Sequence, residues 1–404
     1  MKSQNFSYIP ALDHLRGFAA ILVALFHGVL FIHHRLMYDR EFDDTHWLEA
    51  TNLFSALIIE GHTAVSLFFV LSGFIFTFGL INTELKYFKF LKNRFLRTYP
   101  LFLAFLCLGF IFYPENLSVL SVLKSLFFMA NLQTAFNGGP FTFVAWSVAI
   151  EWQFYLIFPL LLMLTKRFGV AVLFLLLLTA IGLRWLVYED GMDMRWFGYW
   201  TLLGRIDQFL AGMIAGHFYS HHFTKGFKMD AVGLVGAALV LVSLYQFNRM
   251  GGGGLTDSVW ILWPSVEGLT WAVFLVGYIS LSRHLAGILD RGFVFLGKIS
   301  YSIYFIHYVI LFYLMINNLD ATISIGGPVD TAFVNTLILV VPATVICALV
   351  SFRFIEQPFL SLRGVYLDKP PSVRWLDFKI PGRQQIYLQG NGPPVVFVFR
   401  STIG

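Results

Sequence analysis

Long apolar runs separated by short polar breaks dominate this chain. A helix needs about 20 mostly apolar residues to cross the hydrocarbon core of a bilayer. Ten runs meet that length, at roughly 12–33, 53–80, 97–113, 144–164, 168–188, 199–219, 229–247, 258–280, 293–316 and 330–353. The stretch 118–134 is apolar but broken by Lys124, and reads as an interfacial or re-entrant helix. After Pro358 the pattern changes: residues 361–404 are polar and carry five prolines, which predicts a cytoplasmic tail, partly disordered, behind a membrane domain over 1–360. The expected fold is all-α, a polytopic transmembrane helical bundle.

Composition agrees. Of 404 residues, 57% are hydrophobic and only 13% charged, against about 25% charged in a soluble domain. So few ionisable groups cannot cover a water-facing surface, and disorder or collagen-like structure is excluded on the same grounds. Cys107 and Cys347 sit alone in apolar runs and form neither a disulfide framework nor a zinc site. No metal and no bound cofactor are expected. The thin positive N-terminus, interrupted by Arg16 and lacking a small-residue cleavage site, predicts that the first span is retained.

The net charge of +5 follows from topology and not from nucleic-acid binding. Lys and Arg stay cytoplasmic. With the N-terminus inside, the inner loops hold Lys86, Lys89, Lys92, Arg94, Lys166, Arg167, Lys225, Lys228, Arg283 and Arg291, and the tail adds more. The opposite loops are acidic or uncharged, as in 34–50 with Asp39, Glu41, Asp43, Asp44 and Glu49. Ten spans with both ends inside are consistent with this distribution. Gly251–Gly254 reads as a flexible outer loop; with no Lys-Ser/Thr after it, it is not a phosphate loop.

Ionisable residues within spans are costly and usually functional. Here they are Arg16, His27, Glu60, His62, Glu151, Arg205, Asp207, Glu267 and His307. Counting at about 1.5 Å per residue, His27, His62, Glu151, Arg205, Glu267 and His307 fall into one layer, roughly 9–14 Å below the outer boundary. Arg16 and His27, eleven residues apart, face the same way, about 16 Å apart along the axis. Histidine can take and return a proton near neutral pH, and a carboxylate beside it would orient the ring. That pairing suits deprotonation of a hydroxyl that attacks an acyl group. At the inner face Lys86, Lys89, Lys92, Arg94 and Arg97, interleaved with Tyr87, Phe88, Phe90 and Phe95, suit phosphate recognition.

Several motifs then converge. Leu12-Asp13-His14-Leu15-Arg16-Gly17 with His27 is followed by Phe68-Phe69-Val70-Leu71-Ser72-Gly73-Phe74, Arg94-x-x-Arg97-x-x-Pro100, and Trp146-Ser147 with Glu151 and Tyr155. Arg205-x-Asp207-x-Phe209-x-x-Gly212, Ser300-Tyr301-Ser302-Ile303-Tyr304 with His307, and Glu356-Gln357-Pro358 complete the series. In order and spacing it resembles acyltransferase family 3, the integral membrane O-acyltransferases of bacterial surface carbohydrates, over about residues 8–360. The resemblance implies transfer of an acyl group, usually acetyl, from cytoplasmic acyl-CoA (acetyl-CoA) to a hydroxyl of a cell-surface or lipid-linked glycan, by a multi-pass protein of the inner (plasma) membrane. It gives His27 the base role with Glu151 as partner. Arg16, Arg94 and Arg97 become donor-binding residues, and Asp13, His62, Ser147, Arg205, Asp207 and His307 a supporting polar layer. Some members add an extracytoplasmic hydrolase-like domain; none is expected in this chain, so the acceptor would reach the membrane domain directly. The competing reading is a proton-coupled secondary transporter using the same buried His, Glu and Asp groups, which predicts inverted repeats; no such pairing is evident.

Overall fold

The computed structural model describes residues 5, 8–39, 42–222, 229–254, 258–285, 287–367, 385–387 and 396–398. Lys225, Lys228 and most of the tail lie outside the described residues. The chain runs α1 (Pro10–Tyr38), α2 (Leu53–Ile59), α3 (Thr63–Leu80), α4 (Tyr87–Phe112), α5 (Val119–Leu126), α6 (Ala145–Phe168), α7 (Ala171–Glu189), α8 (Met194–Trp200), α9 (Leu202–His222), α10 (Met229–Arg249), α11 (Val259–Leu281), α12 (Gly287–Lys298) and α13 (Ser300–Ile316). A last helical rod, Pro328–Ser361, comprises α14 (Pro328–Asn335), α15 (Val341–Ser351) and α16 (Gln357–Ser361), joined by wide five-residue turns at Thr336–Val340 and Phe352–Glu356. In the tail, Gln385–Tyr387 pairs antiparallel with Val396–Val398.

Among the described residues eight helices are long and apolar enough to cross a membrane, and nine if α12 and α13, bent by 73°, form one span. The remaining expected span is α9. It falls short in apolarity because it carries Arg205, Asp207 and Gln208, all buried. α9 faces protein and not lipid: it packs against α3, α7 and α11. Its contact with α3 is backbone to backbone. A Cβ at Gly73 would strike the Phe209 carbonyl, and one at Gly212 the Val70 carbonyl, so glycine lets the two helices approach closely.

Four departures from the expected spans shape the site. The second is broken at residues 60–62, where tight turns (Gly61 N–H to the Ile58 carbonyl, Thr63 N–H to the Glu60 carbonyl) replace helix. Residues two apart do not face each other on a helix; the break lets the Glu60 and His62 side chains meet. The third begins at Tyr87 and not near 97, so the basic cluster is the first turns of α4. The fifth-to-sixth region divides at Thr201 into α8 and α9. The last span widens at Phe352–Glu356, a turn type that collects at functional sites, and Glu356 there is buried. Gly252 and Gly253 are buried against Trp47, so the glycine run is packed structure and not a free loop. Cys107 and Cys347 are unpaired and exposed.

Candidate active site

Two cavities lie along α1. The first, about 720 Å³, is lined from Tyr8 to Arg16; the second, about 570 Å³, from Val23 to Asp39. Both fall within the range of about 300–1,000 Å³ typical of small-molecule sites. They share two lining residues, Val65 of α3 and Tyr304 of α13.

The first cavity is basic. Arg16, Arg94, Arg97, Arg291, Lys298 and Arg363 face three carboxylates, Asp13, Glu151 and Asp290. Arg16 Nη1 donates to Asp13 Oδ1 at 3.0 Å, and the Tyr8 hydroxyl to Asp13 Oδ2 at 2.8 Å. Arg97 Nη1 reaches Glu356 Oε2 at 3.3 Å, while Ser302 also donates to Glu356. Arg94 stacks 4.9 Å over Phe76, leaving its charge without an ion-pair partner among the described residues. Burial, and then the positive charges of Arg97 and Arg94, lower the Arg363 guanidinium to about 10. The crowding of Arg94, Arg97 and Arg363 leaves this wall of the cavity positive.

The expected pairing of Glu151 with His27 is not what the structure contains. Glu151 accepts from Ser72 Oγ at 2.7 Å and lines the basic cavity. Ser72 lies nine residues into α3, about 14 Å beyond its start, whereas His62 precedes that start. Ser147, one turn earlier than Glu151 on α6, occupies the level of the junction, its Oγ 2.6 Å from the Tyr304 hydroxyl. Counting from average span boundaries placed Glu151 one level too near the histidines.

The second cavity is built on imidazoles. His307 Nδ1 lies 3.3 Å from the Ile303 carbonyl, one helical turn back. Donation there leaves His307 Nε2 as an acceptor, and His27 Nδ1 is 2.9 Å from it. The pair therefore orders itself: His27 donates from Nδ1 and keeps its lone pair on Nε2. His27 is half-buried, among Phe26, Phe31, Phe143 and Tyr308. His62, 2% exposed, lines the same cavity. Its Nε2 is 2.9 Å from Glu60 Oε2, and Glu60 Oε1 accepts from Trp47 Nε1 and Asn248 Nδ2, each at 2.7 Å. Phe42, Trp47 and Gly253 also line this cavity, and Arg195, another lining residue, pairs with Asp44. Nearby, His34, Asp43 and His46 bring ligand-type atoms within 4.8 Å of one another.

The other expected residues support the walls. Arg205 donates to Ser66 Oγ at 2.9 Å and to the Tyr199 carbonyl at 3.0 Å, and its guanidinium stacks 4.2 Å over the Tyr199 ring. Tyr199 and Trp146 stand between it and the cavity, so it backs the wall and does not line it. Asp207 is held by Arg184 (2.7 Å) and Ser265 (2.5 Å), a fully buried tie between α7, α9 and α11. Of the six groups expected in one layer, His27, His62, His307, Arg205 and Glu267 surround the second cavity or its wall; Glu151 does not. Sequence reasoning assigned no role to Glu60, Tyr304 or Arg363 and passed over Arg184. Gly61 between Glu60 and His62 was the available signal for the helix break, and a lone Arg in the 168–188 run was the signal for a buried partner.

The polytopic helical bundle thus carries a basic, arginine-lined cavity beside a second cavity lined by imidazoles. The chain belongs to the acyltransferase family described as "Acyltransferase domain", which matches residues 9–353. The membership expected from the motifs is thereby borne out. Among curated relatives, O-acetyltransferase OatA of Staphylococcus aureus (strain NCTC 8325 / PS 47) is 25% identical over 389 aligned residues, covering 87% of this chain and 57% of the relative. A putative O-acetyltransferase of S. aureus (strain COL) is 24% identical over 393, covering 89% and 58%. The chain thus spans a little over half the length of the curated relatives it matches. No solved structure matches.

Proposed function

We propose that this protein is a membrane O-acyltransferase that moves an acyl group, acetyl by analogy with the names of its relatives, from acyl-CoA to a hydroxyl of a surface or lipid-linked carbohydrate. In this reading the nucleotide phosphates of the donor sit in the basic cavity against Arg94, Arg97, Arg16 and Arg363. The pantetheine arm runs along α1, and the thioester reaches the junction at Val65 and Tyr304. The positive-inside rule puts the basic cavity on the cytoplasmic side of the bacterial plasma membrane, where acyl-CoA is made.

His27 is the reacting imidazole. Its Nε2 lone pair is available, as base or as acyl carrier, because Nδ1 is committed to His307, and a proton-transfer group in such a site contributes about 10²–10⁴-fold. The observation that supports this reading is that Val65 and Tyr304 line both cavities, so the arginine cavity and the His27 cavity are neighbours along α1. The test measures incorporation of labelled acetyl from acetyl-CoA into surface glycan. The His27→Asn protein, inserted at normal levels, is expected to lose at least 100-fold; normal incorporation removes His27 from the mechanism.

A further inference from the structure

Glu60 and His62 have more chemistry than the proposed reaction has yet used. Glu60 is fully buried and takes three donors: Trp47 Nε1 and Asn248 Nδ2 on one oxygen, His62 Nε2 on the other. A carboxylate so surrounded fixes the His62 tautomer, with hydrogen on Nε2 and the lone pair on Nδ1. His62 Nδ1 is buried and has no hydrogen-bond partner among the described residues. Leaving such an atom unsatisfied costs stability, and packing α2 against α3 does not require it, since Nε2 alone makes the structural bond. His62 lines the cavity that His27 lines. The Phe26 ring touches both, 4.7 Å from His27 and 5.7 Å from His62, so the imidazoles are no more than about 10 Å apart.

Resting on the acyl-transfer reading above, we propose that Glu60–His62 is a second catalytic base dedicated to the acceptor hydroxyl, and that His27 is the nucleophile that carries the acyl group to it. In the first half, His27 Nε2 attacks the thioester carbonyl. The carbon–sulfur bond breaks, CoA leaves as thiolate, and an acyl-imidazolium remains on His27, with Nδ1–H still donated to His307. In the second half, the acceptor oxygen attacks the acyl carbon while His62 Nδ1 takes its proton. The carbon–nitrogen bond breaks and returns neutral His27, and the proton on His62 balances the thiolate released as CoA. One imidazole cannot do both tasks, because its lone pair is occupied while it is acylated. Glu60 is the positioning residue: it holds the ring and stabilises the imidazolium that forms.

The two halves can be read separately. Exchange of labelled CoA into acetyl-CoA by membranes reports the first, and the O-acetyl content of surface glycan in a strain lacking the chromosomal copy reports both. The wild type is expected to exchange. His62→Asn and Glu60→Gln are expected to keep exchange within about 3-fold, which itself proves a folded donor site, while glycan acetylation falls at least 100-fold. His27→Asn is expected to lose both. Transfer at the wild-type level in His62→Asn, loss of exchange together with transfer in both His62→Asn and Glu60→Gln, or no exchange by the wild type overturns the two-imidazole scheme. Retention of transfer by His27→Asn overturns instead the acyl-transfer role of His27 on which the scheme rests.

Discussion

Arg363 offers a test in which affinity and stability move in opposite directions. Its guanidinium is lowered from the ordinary arginine range to about 10, first by burial and then by Arg97 and Arg94. Holding that charge in place costs folding free energy. Taken at face value the depression is worth about 3 kcal/mol, but the side chain is partly open to solvent, and screening reduces this to about 1 kcal/mol. The sign follows from proton binding. Between pH about 10 and the ordinary arginine range the unfolded chain holds a proton that the folded one has released, so stability rises with pH across that window; below about 10 the full cost is present. Arg363→Gln removes the cost at neutral pH and should stabilise the donor-free protein by about 1 kcal/mol. At the proposed donor site the same substitution would remove one charge-assisted phosphate contact, worth about 1.5–3 kcal/mol, and should weaken acetyl-CoA binding about 10- to 100-fold. Binding and thermal unfolding in nanodiscs measure both effects, with Arg167→Gln, on the far end of α6, as the control. Unchanged acetyl-CoA affinity, or a donor-free protein less stable than wild type, would refute the assignment of Arg363 to an anion site.

Three further perturbations separate the junction, the relay and the packing. Val65→Phe should fill the meeting point of the cavities; acetyl-CoA should bind within about 3-fold of wild type while glycan acetylation is lost, and normal acetylation would mean the acyl group takes another route. His307→Leu removes the acceptor of His27 Nδ1; kcat should fall about 10-fold, the worth of one neutral hydrogen bond, with KM for the donor unchanged, and an unaffected kcat would dismiss the relay. Gly212→Ala drives a methyl into the Val70 carbonyl, whereas a Cβ at Gly182 meets nothing within 4 Å; the first should destabilise by about 1–3 kcal/mol and the second should stabilise slightly, as read by denaturant unfolding.

The spans were legible because lipid imposes a length and an apolarity that no soluble fold needs. α9 shows the limit of that rule: its Arg205, Asp207 and Gln208 face protein on every side, so hydropathy understates it. The arginines of the basic cavity were legible as a cluster, but Arg363 was not, since it joins Arg94 and Arg97 only after the last span returns to α4. The histidine pair was half legible. Residue counting put His27 and His307 at one depth, and the structure brings them to 2.9 Å. The carboxylate partner was misassigned because the count treats each span as an uninterrupted rod. Glu60 and His62 cannot face each other in a continuous helix, and the break that turns them together spans three residues around Gly61. A local change of backbone path, invisible to periodicity, decided which carboxylate serves which imidazole.

On the acyl-transfer reading proposed above, the separation of the two cavities would follow from the chemistry they must reconcile. A polyanionic donor needs a cationic wall open to water, whereas an imidazole that handles a hydroxyl proton works best where few competing charges and waters reach it. Placing both along α1, with Arg16 and His27 on one face, lets a single rigid element hold the two environments apart by about 16 Å. Val65 and Tyr304, the residues common to both linings, carry no formal charge, so the junction offers neither a phosphate nor a proton a resting place. A flexible acyl arm passes such a constriction more readily than an ion does, because it brings no charge to desolvate. On that reading the junction would select the acyl group from the rest of the donor, and the bilayer would be crossed by the smallest part of the substrate that the reaction consumes.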